Sequence, residues 1–161
     1  MITREEKVLQ QRSRADGIRE FAGRAICMNG FAGDDAVRAL LNQEVIDPQL
    51  SQRFSAEFLD YTKRVLEEAA EPGEGGVFAA LWKLSIVTRC GLTVYLKRIP
   101  IRQEVIEICN CLELDPYRIG GCKLEIPEDP KDAWQIGVLT DTNQKIIING
   151  DDVRYLDRPQ A

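Results

Sequence analysis

Apolar residues recur at helical spacing in three stretches of the chain. Phe58, Leu59, Thr62, Val65, Leu66 and Ala69 stripe one face of a helix that Ser55 and Glu57 open and that runs to about residue 70. Residues 77–87 are apolar nearly all round, which predicts a central buried helix ended near Gly91. Pro100 opens a third helix, with Val105, Ile106, Ile108, Cys109 and Leu112 turned inward. Around these lie weaker signals. Thr3 and Glu6 fit a capping box at the head of a helical arm over 2–26, which Gly17 and Gly23 weaken. Residues 29–33 read as a turn, Asp34 as the cap of a short helix over 35–43, and Pro48 as a break.

The remaining pattern is β. Residues 92–96 and 122–126 read as strands, and 135–140, 145–148 and 153–156 as a meander. Asn149-Gly150 is a strong hairpin signal between the last two. Asp115-Pro116-Tyr117-Arg118 reads as a turn or a single helical turn. The fold class expected is α+β, a sheet of about four to five strands packed by helices. The expected core comprises Phe58, Val65, Phe78, Leu81, Trp82, Val94, Ile106, Cys109, Leu124, Ile136, Ile147 and Tyr155. Trp82 and Trp134 read as core and lid residues.

Composition narrows the function. The chain has 161 residues, 44% of them hydrophobic and 29% charged, a balance that supports a packed core. Its net charge of −5 argues against wrapping nucleic acid or an anionic membrane. No apolar run approaches the ~18 residues of a membrane span. Residues 1–14 lack an apolar signal core, so a cytoplasmic location is expected. There is no histidine, which removes Ser-His-Asp and Cys-His catalysis and His-based metal sites. Five cysteines (Cys27, Cys90, Cys109, Cys111 and Cys122) include no CxxC pair, and small buried thiols are the expected reading. No metal site and no catalytic residue is predicted.

Several segments carry a resemblance. Residues 73–84, Gly91-Leu92-Thr93-Val94, the run 99–104, Ile108-Cys109 and 114–117 together resemble the C-terminal domain of the aminoimidazole-ribonucleotide (AIR) synthase superfamily, PurM-like in fold. The nearest style is that of the HypE-type hydrogenase maturation factors and AIR-synthase-related proteins. Residues 26–33 resemble the entry to that domain, and 140–151 and 154–159 its exit. The resemblance implies a PurM-C-like domain over 26–159, which the helical arm read above, 1–25, precedes. Family members place an ATP- and metal-binding domain where this arm stands. Glu71-Pro72 leaves no room for a strand before the glycine run, so a trimmed version of the domain is expected.

Three functions follow as expectations. One is a non-catalytic binding or interaction module, forming a homo-oligomer or docking on a nucleotide-binding partner protein. Another is the C-terminal half of a split ATP-dependent enzyme, with ATP and Mg supplied only through a separate nucleotide-binding chain. The third is a binder of phosphate or small anionic metabolites. For the anion, Gly75, Gly76 and Val77 stand at a helix start, where free amides and the helix dipole favour negative charge. The competing reading is a tight turn that permits close packing. Arg98 and Arg102 are candidate ligand contacts, since guanidinium fits carboxylate or phosphate in two-pronged fashion. A solvated face paired locally with Glu104 is the plainer reading.

Overall fold

The computed structural model describes residues 20–67, 75–120 and 123–157. Most of the expected helical arm, Cys122 and the first half of the glycine run lie outside the described residues. Where the arm was expected to continue to residue 26, the chain is instead strand β1 (Ala25–Asn29), whose first four residues are buried. Gly23, at φ +90°, takes a left-handed turn that a helix does not accommodate, and a short apolar run bounded by turns suits a buried strand.

The elements that follow are α1 (Asp34–Leu41), α2 (Pro48–Arg53), α3 (Ala56–Glu67), α4 (Val77–Thr88), β2 (Gly91–Tyr95), a 3-10 turn (Leu96–Arg98), α5 (Gln103–Cys111), β3 (Lys123–Glu125), β4 (Gln135–Thr140), β5 (Lys145–Asn149) and β6 (Asp152–Tyr155). The α+β class is as expected, with six strands in the sheet. No helix among the described residues is long and apolar enough to cross a membrane. The chain divides into two compact units.

One unit holds described residues 20–28, 78–99 and 124–157, and with them nearly all of the sheet. The strand order is β3-β1-β4-β2-β5-β6. β4 and β5 were expected to be neighbours in a meander; β2 stands between them, antiparallel to β4 and parallel to β5. The reason is burial. Leu92 and Val94 are fully buried, so the strand belongs at the sheet centre. Gly137 permits the close approach: a Cβ there would strike the Thr93 carbonyl and the Val94 backbone. The predicted Asn149-Gly150 hairpin joins β5 to β6, with Gly150 at φ +63°.

Helix α4 lies on the face of the sheet that carries Lys145, whose Nζ sits 4.4 Å from the centre of the Trp82 ring. Ser85 Oγ donates to the Cys90 carbonyl at 2.5 Å and so anchors the helix end to the turn before β2. Leu81, Val94, Ile136 and Ile147 are buried as expected, while Phe78, Trp82 and Leu124 are half-buried. Tyr155 is not a core residue: β6 is an edge strand and leaves it exposed. Trp134 is exposed too, and its Nε1 donates to the Arg98 carbonyl at 2.5 Å.

The other unit holds described residues 29–67, 75–77, 100–120 and 123. Its core gathers Val37 and Leu41 of α1, Leu50 of α2, Leu59 and Leu66 of α3, and Val105, Ile108 and Cys109 of α5. Each fully buried aliphatic side chain contributes about 1.5–3 kcal/mol. Phe58, Val65 and Ile106, expected in the core, are half-buried; Phe58 packs at the core margin, stacked on Phe54 at 4.8 Å. Pro48 does not break the chain. It occupies the first turn of α2, where its missing N–H costs nothing, and Asp47 Oδ1 caps that helix by accepting from the Gln49 amide at 2.9 Å. Ser55 opens α3 as expected, its Oγ accepting from the Phe58 amide at 3.1 Å.

Candidate functional site

The glycine run ends at the N-terminus of α4. Gly75 is exposed and adopts φ +74°, a conformation that favours glycine. Gly76 is buried, and a Cβ on it would run into the Tyr117 carbonyl and the Arg118 backbone. Val77 is buried as well. The partner of this corner is the predicted turn at 115–118. There Asp115 Oδ1 accepts from the Tyr117 amide at 2.9 Å, the Arg118 amide donates to the Asp115 carbonyl at 3.0 Å, and Arg118 Nε pairs with Asp115 Oδ2 at 3.3 Å.

The same turn touches the start of α1. A Cβ on Gly33, the φ +81° residue that caps α1, would lie 3.4 Å from Pro116 Cβ and 3.1 Å from Val105 Cγ1. Gly120 lies so close to Ala36 that it too has no room for a side chain. Gly33 and Gly76 thus let one turn fit between the N-termini of α1 and α4, and Gly120, just past the turn, lets the chain pass close to α1. The sequence marks each glycine as a turn former. Nothing in their spacing shows that Gly33 and Gly76 meet the same segment.

Asp34, read from the sequence as a cap, is the first residue of α1 and is 5% exposed. Its Oδ2 accepts from Arg102 Nε at 3.0 Å, and Arg102 also lies 4.1 Å over the Phe31 ring. Arg102 therefore pairs with a residue 68 positions away, not with Glu104. Oδ1 of Asp34 is buried with no hydrogen-bond partner. Burial pushes the Asp34 carboxyl above the ordinary carboxylate value; the hydrogen bond and charge of Arg102, and the charge of Arg38, pull it back, and Glu104 adds to the rise. Beside it, Arg38 Nη2 pairs with Asp35 at 2.8 Å and Nη1 donates to the Leu66 carbonyl at 3.2 Å, tying α1 to α3.

Two other groups of this unit are shifted. Burial, with Asp115 nearby, raises the Tyr117 hydroxyl and pushes the Cys109 thiol to about 11. Arg98, the remaining candidate, belongs to the other unit, where it lies 4.5 Å over the Tyr95 ring. Among the described residues no group of three or more acidic or thiol side chains gathers as metal ligands. Chemically, the corner presents one exposed glycine, a turn braced by Asp115, and a pair of buried carboxylate and half-buried guanidinium that fixes the head of α1 against the head of α5.

This arrangement of helices and mixed sheet matches the fold of about half of HypE. The crystal structure of the hydrogenase maturation protein HypE in complex with ATP matches with a TM-score of 0.55 at 19% identity, over 88% of this chain and 52% of HypE. The crystal structure of the HypE–HypF complex matches with a TM-score of 0.55 at 18% identity, over 86% of this chain and 53% of the matched chain. A candidate hydrogenase expression/formation protein of Methanocaldococcus jannaschii is 33% identical over 106 residues, 62% of this chain and 32% of that protein. No family model matches the chain. The resemblance to HypE-type, AIR-synthase-related proteins thus rests on an aligned relative as well as on the fold, over an extent consistent with a C-terminal domain. The chain spans about half the length of the HypE structures and about a third of the curated relative.

Proposed function

We propose that the chain is a non-catalytic binding module of the HypE and AIR-synthase-related kind, and that it works in an assembly with a nucleotide-binding domain. The observation that carries this reading is coverage: 88% of the chain accounts for 52% of a HypE crystallised with ATP. By the family resemblance, the half of HypE that these residues do not match is the nucleotide-binding half. The corner at α4 supports the same reading, since Gly76 and Val77 are buried and Arg118 Nε is paired with Asp115. ATP and Mg would come to the assembly through the other domain.

The test is reconstitution. The purified chain is titrated calorimetrically with Mg–ATP, alone and with the nucleotide-binding domain of a HypE-type protein. Binding of the added domain, with no turnover by the chain alone, is the expected result. Magnesium-dependent ATP turnover by the chain alone overturns the proposal. HypE itself has been crystallised with HypF, so a HypF-type protein is a second binding candidate for the same assay.

A small-anion site at Gly75, Gly76 and Val77 is the second reading. Gly75 favours it, being exposed at the N-terminus of a 12-residue helix whose dipole attracts an anion. Arg102 could add only the guanidinium nitrogens that Asp34 leaves free. Titration with inorganic phosphate, followed at the Gly75 amide by NMR, should shift that resonance saturably if this reading holds. An unshifted amide sinks it.

A further inference from the structure

The edge strand β6 carries a pattern that fits a second copy of itself. In the hairpin, Asn149 opposes Asp152, Ile148 opposes Val153, Ile147 opposes Arg154 and Ile146 opposes Tyr155. The Leu156 amide donates to the Lys145 carbonyl at 2.9 Å. Antiparallel pairs alternate between hydrogen-bonded and non-hydrogen-bonded, so Asp152, Arg154 and Leu156 bond inward to β5. The backbone N–H and C=O groups of Val153 and Tyr155 therefore point outward, and no described strand lies beyond them.

The side chains alternate as well. Asp152 and Arg154 share one face, where Arg154 Nε meets Asp152 Oδ2 at 2.8 Å with both side chains exposed. Val153 (49% exposed) and Tyr155 (56%) share the other face. By register they continue two rows across the sheet, Tyr95–Ile148–Val153 and Thr93–Ile146–Tyr155.

We propose that β6 is a homodimer edge, at which two copies pair antiparallel about a dyad through Val153 to form one continuous sheet. In that register each Val153 exchanges both backbone hydrogen bonds with its counterpart. Asp152 of each copy stands opposite Arg154 of the other, at the ~5 Å Cβ spacing of directly opposed residues. The row Tyr95–Ile148–Val153 runs on into Val153–Ile148–Tyr95 of the second copy. The charges also fix the register. A dyad through Arg154 would set Arg154 against Arg154, and it would face inward-bonded amides. Exposed edges in natural sheets are normally blocked by charge; here the charges at alternate positions have opposite sign, so two copies complement each other. The proposal rests on the reading of the chain as an assembly-forming module and adds which edge is used and what occupies it.

The experiment is analytical ultracentrifugation of the full chain over a range of protein and salt concentrations. A reversible dimer of twice 18.2 kDa is expected, weaker at high salt because exposed pairs are screened. Val153→Pro removes an outward amide that an edge strand does not need, and it should leave a folded monomer by circular dichroism. Asp152→Arg and Arg154→Asp should each weaken the dimer at least about tenfold. The double swap, Asp152→Arg with Arg154→Asp, should restore it, which a merely structural defect would not. A chain monomeric at every concentration overturns the proposal, and so does a dimer indifferent to all four variants. Neither result touches the binding of a nucleotide domain, which the reconstitution assay reads separately.

Discussion

Arg102 donates from Nε to Asp34 Oδ2 at 3.0 Å while its guanidinium lies 4.1 Å over the Phe31 ring. One side chain thus neutralises a carboxylate that is almost fully buried and joins the heads of α1 and α5. Replacing it by methionine keeps the stem and removes the charge. Asp34 is then left as a buried, unpaired acid. Arg102→Met should lower stability by about 1.5–3 kcal/mol, the range for hydrogen bonds to charged groups. Asp34→Asn in the same chain should recover part of that loss, because no charge is then stranded. Urea melts of the two single variants and the double variant measure the coupling.

The pH dependence of Asp34 follows from its raised value. The folded chain holds this proton more tightly than the unfolded chain does. Between the unfolded and folded values the native state therefore carries the extra proton, and stability falls as pH rises through that window. Above it, ionised Asp34 costs stability. Wild type should accordingly gain on Asp34→Asn as pH drops from about 7 to about 4, a difference read from paired thermal melts. A difference independent of pH would contradict the shift.

Gly76→Ala should destabilise the chain by about 1–3 kcal/mol, the usual cost of overpacking. The new methyl meets backbone atoms of Tyr117 and Arg118, which cannot swing aside as a long side chain can. Gly76 has no positive φ among the described glycines, so the effect is steric and not conformational. Hydrogen exchange at residues 115–118 should quicken along with it, and unchanged exchange would show that the turn does not depend on this contact.

The thiols of α5 should differ in reactivity. Cys109 is buried with its pKa pushed to about 11, so almost none of it is thiolate near neutral pH. Cys111 is half-buried, its Sγ 3.6 Å from the Gln49 carbonyl. Alkylation of the native protein, followed by mass spectrometry, should modify Cys111 well before Cys109. In Cys111→Ser the segment 103–118 should stay largely unmodified until the protein is denatured.

Much of the fold was legible because the signals were local. Asn149-Gly150 specified its hairpin, the all-round apolar run specified α4, and the spacing of Val105, Ile108 and Cys109 specified the buried face of α5. What escaped depended on partners distant in sequence. The order of β4, β2 and β5 is set by burial of Leu92 and Val94 between two strands, which period-two alternation does not encode. Tyr155 has the composition of a core residue but stands on the last strand, and only the sheet order reveals that. At the candidate site the glycine corner was visible, but the turn packed against it was not. Asp34 looked like a cap because an acid beside glycine at a helix start usually is one; its pairing with Arg102 spans 68 residues and leaves no mark in spacing.

The place of β2 has a consequence for synthesis on the ribosome. Residues 91–95 leave the exit tunnel with both of their eventual neighbours, 135–140 and 145–149, still unmade. A five-residue apolar segment must wait for about fifty more residues of translation, and such delayed pairing is slow and prone to aggregation. A chain truncated just short of residue 145 and released from the ribosome would have β4 and α4 available but no occupant for one side of its central strand. Such a fragment is a natural client for a chaperone.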